Sequence, residues 1–349
     1  MSRFIAFNQP AQPRRLAILL VNLGTPDAPD TASVRRYLAE FLADPRIVEQ
    51  PRWLWWLVLN GIILRTRPQR SARAYAKVWT AEGSPLQVET TALAARLQTV
   101  LEGSLGADVM VRHAMRYGSP SISDTLADLA RSGMQRLLVL PLFPQFSATT
   151  TASVLDAVTA EFRRWRRPPE LRFVMDYHRE PAHIESLARS VERHWQAHGR
   201  GDRLLLSFHG IPQRYVRNGD PYRDQSEQTT ALLRARLGMS ENELLLSYQS
   251  RLGREPWLQP YTDKTLAALP AQGVRRVDTL CPGFAVDCLE TLEEIAMEGR
   301  ETFLEAGGSE FHYIRCLNAG VDQVDSMRAL ILRHCRGWPE SDLSSNEKP

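Results

Sequence analysis

The sequence has few cysteines and no long apolar run. Its four cysteines, in 349 residues, show no C-x-x-C spacing, which indicates free thiols in a reducing compartment and not disulfides or a thiolate metal cluster. The first residues lack the apolar core of a signal peptide, and no run reaches the roughly 18 residues that a spanning helix requires. We therefore expect a cytoplasmic protein, and peripheral contact with the inner face of a membrane remains open.

Nucleotide-binding fingerprints are absent as well. No G-x-G-x-x-G pattern follows a candidate strand and no P-loop lysine is present, so a kinase or a nucleotide-dependent oxidoreductase is disfavoured. The net charge is only +3, which is too small to indicate a nucleic-acid partner. The sequence leaves the oligomeric state open.

The apolar pattern is typical of an α/β fold. Short apolar runs that end at Gly or Pro alternate with longer stretches of helical period, as expected for parallel strands covered by helices on both faces. Strands are predicted at residues 15–24, 108–118, 136–144, 170–177, 203–212, 243–253 and 275–284.

The strand order reads as two passes through one plan. The segment 15–26 resembles 203–212, 114–120 corresponds to 248–256, and 136–147 corresponds to 275–287. We therefore predict two similar Rossmann-like lobes, each a parallel sheet flanked by helices; one large sheet is the alternative. The predicted lobes are 1–168 and 169–312, divided in the proline-bearing stretch WRRPPELRF, followed by a segment at 313–349 with a disordered tail, SDLSSNEKP.

The segment PRWLWWLVLNGIILRTRPQR at 51–70 is the most unusual in the chain. It is too short to cross a bilayer, but its tryptophans and the flanking arginines suit an interfacial helix or the lip of an apolar pocket. A buried core helix is the equally weighted alternative.

His209 is the best single candidate for chemistry. The run RLLLSFHGIP places it at the end of a predicted strand, where open α/β sheets bind ligands, and an imidazole there can act as a base or a metal ligand. A structural histidine is the alternative.

A second candidate lies in the predicted helix after the last strand. Glu290, Glu294 and Glu298 recur every four residues and share one stripe, which could pass a hard divalent cation. A solvated acidic face, with Asp287 as N-cap and Glu290 as its capping-box partner, is the alternative. The imidazole and the carboxylates would meet at one sheet edge, and Fe²⁺, Co²⁺ and Zn²⁺ all accept such ligands.

Other polar or aromatic side chains follow predicted strand ends and could line a site for an anionic aromatic ligand. These are Arg116, Tyr117, Ser250, Arg251 and Trp257.

From about Arg15 to Gly320 the chain resembles the ferrochelatases. The matching motifs are VNLGTPDAP, VRRYLAEFLADPRIVE, EGSPL, MRYGSPSI, LPLFPQFSATT, SFHGIP, NGDPY, YQSRLGREPWLQPYT and DCLETLEE.

The resemblance implies that a porphyrin lies in a cleft between the lobes and that the C-terminal segment packs back on the first lobe. It also implies that His209 and Glu290 form the central pair, that the five side chains above line the pocket, and that 51–70 is a membrane-facing lip. The expected reaction is insertion of Fe²⁺ into a porphyrin to form haem, with iron as substrate and its donor unknown.

Two departures from other members of the family refine this expectation. Only Cys335 follows Cys316, so we expect no C-terminal [2Fe–2S] cluster. Leu23 precedes Gly24 where members acting on coproporphyrin tend to have tyrosine, which favours protoporphyrin IX. A coproporphyrin ferrochelatase, a cobalt chelatase of a related pathway and a non-catalytic haem carrier remain as alternatives.

Overall fold

The computed structural model describes residues 3–7, 15–251, 253 and 255–341. It contains two four-stranded parallel sheets with the orders β2-β1-β3-β4 and β6-β5-β7-β8. The strands are β1 (Leu16–Gly24), β2 (Met110–Tyr117), β3 (Arg136–Pro141), β4 (Glu170–Phe173), β5 (Arg203–His209), β6 (Leu244–Gln249), β7 (Arg276–Leu280) and β8 (Glu310–Ile314).

The two sheets share one topology, and this confirms the predicted pair of similar lobes. In each, the first strand along the chain lies between the second and the third, and the fourth lies at the edge. The central strands are apolar because helices cover both faces: every residue from Leu16 to Val21 of β1 is buried.

Helices complete the first lobe. They are α1 (Thr31–Ala43), α2 (Arg52–Val58), α3 (Leu64–Val78), α4 (Pro85–Leu105), α5 (Ile122–Arg131) and α6 (Ser153–Phe162). The Asp30 carboxylate caps α1 by accepting bonds from the N–H groups of Ala32 and Ser33. Four of these helices lie between β1 and β2, so this connection is longer than the one between β5 and β6 in the second lobe.

The second lobe has its own helices. They are α7 (Pro181–His198), α8 (Gln213–Arg217), α9 (Tyr222–Leu237), α10 (Thr262–Ala268) and α11 (Arg300–Glu305). The helix α12 (Val321–Cys335) begins in the second lobe, and its residues from Val324 onward belong to the first lobe. A π-helix spans Glu290–Gly299 and runs directly into α11. The helix ends at Glu305, just before Gly307, which adopts a positive φ of 101°.

The lobe boundaries differ from the predicted ones. Residues 148–175 belong to the first lobe, and residues 143–147 and 176–323 form the second. The predicted boundary at 168 was wrong because β4 pairs with β3 and completes the first sheet. The boundary at 312 was also wrong because β8 pairs with β7 and completes the second. Residues 324–341 belong to the first lobe; the predicted disordered tail lies, apart from Ser341, outside the described residues.

The segment 51–70 is helical and lies at the surface. A π-helical turn at Leu59–Ile63 joins α2 to α3, and α2 has no buried residue. Trp53, Trp56 and Ile62 are 71%, 63% and 58% exposed, so the core-helix alternative was wrong. Within the described part of the chain, no helix combines the length and the apolar character that crossing a bilayer requires.

Candidate functional site

His209 ends β5, the central strand of the second sheet. Its neighbour Gly210 allows a close approach of β6: a Cβ there would lie 2.9 Å from the Gln249 carbonyl oxygen and 3.3 Å from Trp257 Cε3. The Nδ1 atom of His209 lies 2.7 Å from the Gly210 carbonyl oxygen. Because a carbonyl only accepts hydrogen bonds, Nδ1 carries the proton in the neutral ring, and Nε2 keeps a free lone pair.

Gln249 connects His209 to the acidic helix. It pairs with His209 across the sheet, and its Nε2 donates to the Glu290 carbonyl oxygen over 2.9 Å. Its Oε1 accepts from the Ser207 hydroxyl at 2.8 Å. This buried amide therefore places the histidine and the first glutamate of the helix at one edge of the second sheet, as predicted.

The acidic helix differs in type from the predicted one. Glu290, Glu294 and Glu298 lie in the π-helix and in no α-helix. In a π-helix the hydrogen bonds join residues five apart, so a four-residue step falls slightly short of one turn where in an α-helix it slightly exceeds one. The three residues still share a stripe, from half-buried Glu290 and Glu294 to exposed Glu298.

Glu294 is held by the end of β6. Its Oε1 accepts from the Ser250 N–H at 2.7 Å, and its Oε2 accepts from the Ser250 hydroxyl at 2.5 Å. Gln249 Nε2 lies 3.4 Å from the same Oε2. Ser250, predicted to line the ligand pocket, therefore contacts a candidate metal ligand.

Asp287 precedes the acidic helix but does not cap it in the predicted way. Its buried carboxylate accepts from the Tyr313 hydroxyl at 2.7 Å, from Arg315 Nε at 2.8 Å and from Asn318 Nδ2 at 2.8 Å. The carboxylate thus ties the helix start to the segment after β8. The capping-box alternative was wrong, because the Asp287 N–H donates to Asn318 Oδ1 at 2.8 Å and the Cys288 N–H donates to Thr291 Oγ1 at 3.0 Å, so neither bond involves Glu290.

The cysteines of this lobe are buried thiols. Burial raises the pKa of Cys288 well above its usual value, and the neighbouring Glu290 carboxylate raises it further. Burial acts likewise on the pKa of Cys281 and of Cys316. These thiols therefore stay protonated, which disfavours them as metal ligands.

Arg251 and Trp257 lie beyond the end of β6. Arg251 Nη2 is 2.5 Å from Asp263 Oδ2, and its guanidinium lies 4.1 Å from the centre of the Tyr261 ring. The half-buried Trp257 is fixed by its backbone, whose carbonyl accepts from Gln213 Nε2 at 3.0 Å. Their role in binding a ligand stays a prediction.

The first lobe carries the other predicted residues. Leu23 is half-buried near the end of β1. Gly24 follows it with a φ of 113°, and a Cβ there would lie 1.8 Å from the Tyr117 carbonyl oxygen. Only glycine permits this contact between β1 and β2, and Gly210 is its counterpart between β5 and β6.

Arg116 and Tyr117 belong to a hydrogen-bonded network around Asp44. One oxygen of this carboxylate accepts from Arg116 Nη2 at 2.5 Å, from the Tyr117 hydroxyl at 2.8 Å and from the Ser153 hydroxyl at 2.6 Å. Tyr117 is only 1% exposed, and burial raises its pKa. Both predicted pocket residues therefore have partners inside the first lobe, and their contact with a ligand stays a prediction.

Sequence reasoning missed Gln249, Asp44 and the role of Asp287. A polar residue at the last position of a buried strand was the available signal for Gln249. For Asp44, the only available signal was an acidic residue just after an amphipathic helix. Within the described ranges, no three or more His, Cys, Asp or Glu side chains form a group that could hold a metal ion.

Comparison with solved structures defines the class of fold. The cobalt-bound sirohydrochlorin chelatase SirB from Bacillus subtilis subspecies spizizenii superimposes with a TM-score of 0.52 at 11% identity, over 92% of this chain and 95% of that one. At this identity the likeness concerns the fold alone, so the protein has the two-lobed fold seen in chelatases.

Sequence comparison identifies the family. The ferrochelatase family model matches residues 15–335. A ferrochelatase from Marinobacter nauticus is 50% identical over 97% of this chain and 92% of its own, and one from Methylibium petroleiphilum is 54% identical over 93% and 89%. The chain belongs to the ferrochelatase family and is an enzyme that inserts iron into a porphyrin in haem synthesis.

Proposed function

We propose that the enzyme inserts Fe²⁺ into protoporphyrin IX, with His209 and Glu290 as the central pair. The observation that supports it most is the connection through Gln249, which pairs with His209 in the sheet and binds the backbone of Glu290. Two polar groups of complementary chemistry thus lie at the carboxyl edge of one sheet, where this class of fold binds ligands.

His209 acts as the proton acceptor in this proposal. A free-base porphyrin carries two pyrrole N–H protons, and both leave when Fe²⁺ enters. The bond from Nδ1 to the Gly210 carbonyl orients the ring and leaves Nε2 to accept a pyrrole proton. Distortion of the flat macrocycle, at a few kcal/mol supplied by distant binding contacts, would expose its nitrogen lone pairs to the metal.

Glu290 receives the metal or the second proton, and Glu294 and Glu298 form the path to it. The gradient of exposure along the π-helix supports this direction, because the outermost glutamate is exposed and the inner two are half-buried. Carboxylate oxygens bind divalent cations readily but do not select iron. We therefore expect Zn²⁺ and Co²⁺ to be inserted as well.

In this proposal the porphyrin site is lined by Leu23, Arg116, Tyr117, Arg251 and Trp257. Leu23 is an apolar side chain and suits the vinyl groups of protoporphyrin IX better than the propionates of coproporphyrin. The iron is a substrate, and the protein holds no resident cluster.

In this proposal, α2 and the π-helical turn after it contact a membrane surface. Trp53, Trp56 and several aliphatic side chains are exposed and precede the arginines of α3, a combination that suits the boundary between headgroups and acyl chains. The macrocycle of protoporphyrin and its vinyl groups are apolar, so this contact would bring the enzyme to the phase in which the substrate collects.

The test is anaerobic incubation with protoporphyrin IX and Fe²⁺ or Zn²⁺, monitored by the loss of free-base porphyrin fluorescence. We expect turnover by the unchanged protein. His209→Ala should lower kcat at least roughly 100-fold, the factor that general-base catalysis contributes, while porphyrin binding persists.

Three outcomes would contradict the proposal. Near-normal turnover by His209→Ala would remove the histidine from the mechanism. Faster turnover of coproporphyrin than of protoporphyrin IX, or insertion of Co²⁺ only into more acidic tetrapyrroles, would show that protoporphyrin IX is not the substrate. Tight haem binding without turnover would indicate a carrier.

A further inference from the structure

Ser250 carries an unusual backbone conformation at the end of β6. Its φ is 61°, in the left-handed region that non-glycine residues rarely adopt and that strains the backbone. Such a conformation persists only when surrounding contacts hold it. Here it directs both the N–H and the hydroxyl of one residue toward Glu294.

The Glu294 carboxylate is bound through both of its oxygens. Ser250 N–H contacts Oε1 and Ser250 Oγ contacts Oε2, while Gln249 Nε2 lies at the edge of hydrogen-bond distance from Oε2. An ionised carboxylate has about four lone-pair positions. The contacts therefore fix the plane of the carboxylate and still leave it able to bind a cation.

Gln249 connects this arrangement to the sheet. Its amide is fixed by Ser207 on β5 and also binds the Glu290 carbonyl oxygen. The two consecutive residues at the end of β6 thus hold two turns of the π-helix. Rigid support of this kind around a metal-binding carboxylate is worth about 10- to 100-fold in metal affinity or activity where it has been removed.

We propose that Ser250 is a positioning residue for Glu294 in the delivery of the divalent metal, and not a residue of the porphyrin pocket. This inference rests on the proposed function of the acidic stripe. It assigns the hydroxyl of Ser250 to the metal substrate, where the family resemblance assigns it to the tetrapyrrole.

The decisive variant is Ser250→Gly. Glycine tolerates the positive φ and keeps the backbone N–H, so the bond from the hydroxyl is lost together with one CH₂ group while the backbone contact remains. We expect the KM for Zn²⁺ and Fe²⁺ to rise about tenfold, with the KM for protoporphyrin changed less than about twofold. Ser309→Gly, an exposed serine of the same lobe, is the matched control and should change neither.

A double-mutant cycle with Glu294→Gln decides whether Ser250 acts through Glu294. In the Glu294→Gln background, the further effect of Ser250→Gly on the metal KM should shrink to less than about twofold. If the two substitutions instead raise the metal KM by independent factors that multiply in the double variant, the inference is wrong. A raised porphyrin KM with an unchanged metal KM in Ser250→Gly alone would also overturn it.

A second readout separates this inference from the proposed function. The same cycle, measured by thermal unfolding without metal or porphyrin, should show coupling between Ser250 and Glu294. An unchanged metal KM in Glu294→Gln, despite that coupling, would end the proposed metal path and with it the role of Ser250 in delivery. If the unchanged protein inserts metal normally but the cycle shows no coupling between Ser250 and Glu294, the inference about Ser250 is wrong while the proposed function stands.

Discussion

Asp44 shows how a single buried charge organises one edge of the first lobe. Arg116, Tyr117 and Ser153 all donate to the same carboxylate oxygen, and Arg46 N–H binds the other at 2.7 Å. Burial alone would raise the pKa of Asp44, but the bonds from Ser153, Arg46 and Tyr117 and the charge of Arg116 outweigh it and lower the pKa. The network therefore depends on an ionised Asp44.

This dependence predicts a change of stability with pH. Because the folded pKa of Asp44 lies below its usual 3.8, its contribution is complete above about pH 5 and is lost as the pH falls through the folded value. Asp44→Asn should lower the free energy of unfolding by roughly 3 kcal/mol at pH 7, since Arg116 loses its partner. Thermal unfolding between pH 3 and pH 7 should show the gap to the unchanged protein narrowing at the acid end.

The control for this prediction is Asp156→Asn, which breaks the exposed pair with Arg46. That variant should change stability by less than about 1 kcal/mol at any pH. An equal gap at pH 3 and pH 7 for Asp44→Asn would contradict the role of its charge.

Single residues were predictable where the sequence carries a local signal. A histidine after an apolar strand and glutamates at a helical spacing are such signals, and the structure places both at the expected edge. Ser250 and its partner Glu294 are more than 40 residues apart in the sequence. The side chains that donate to Asp44 lie still farther from it along the chain. No local pattern encodes such contacts, so the roles of Gln249, Ser250 and Asp44 emerged only from the fold.

At the level of the elements, seven of the eight strands were predicted. The eighth, β8, was missed because EFHYI is short and polar at alternate positions, and a strand of five residues gives little periodicity to detect. The π-helix was read as an α-helix because the two differ by one residue in hydrogen-bond spacing and share the same apolar pattern.

The surface segment of α2 predicts membrane binding that can be measured. The double substitution Trp53→Ser, Trp56→Ser removes two largely exposed aromatic rings without touching the core. Sedimentation with vesicles that contain phosphatidylglycerol should fall at least roughly tenfold, because each buried ring contributes more than the 1.4 kcal/mol that this factor represents. Val321→Ser, at another exposed apolar position, is the control.

Two results would count against membrane contact. One is equal sedimentation of the double variant and the unchanged protein. The other is binding that survives the double substitution but disappears in high salt, which would assign the attraction to the arginines alone.

At the scale of the whole chain, the two similar lobes were visible in the sequence but their limits were not. The repeated order of apolar runs is a property of the sheets themselves, whereas a boundary depends on which sheet each edge strand joins. The proline-bearing stretch before β4 looked like a linker, yet β4 belongs to the first sheet. Composition marks loops and does not distinguish a loop within a lobe from one between lobes.

Trp338 anchors the end of the chain to the first lobe. It is 1% exposed, its Nε1 donates to Glu170 Oε1 at 2.6 Å, and the Arg172 guanidinium lies 4.1 Å from its ring. Trp338→Ala should lower the free energy of unfolding of the first lobe by about 3–5 kcal/mol, measured by denaturant titration.

Trp53→Ala is the matched control, because its ring is exposed and its loss should leave the unfolding midpoint nearly unchanged. A midpoint for Trp338→Ala within error of the unchanged protein would show that the end of the chain is dispensable for the first lobe.

The first lobe is discontinuous: the chain leaves it after Met175 and rejoins it at Val324. During synthesis on the ribosome, the residues of the second lobe have therefore all emerged before the first lobe can gain its last helix and Trp338. The lobe whose strands come first in the sequence is therefore completed after the other. A nascent chain interrupted between Gln323 and Trp338 would carry an entire second lobe together with an unfinished first one, a species with exposed apolar surface that chaperones and proteases recognise.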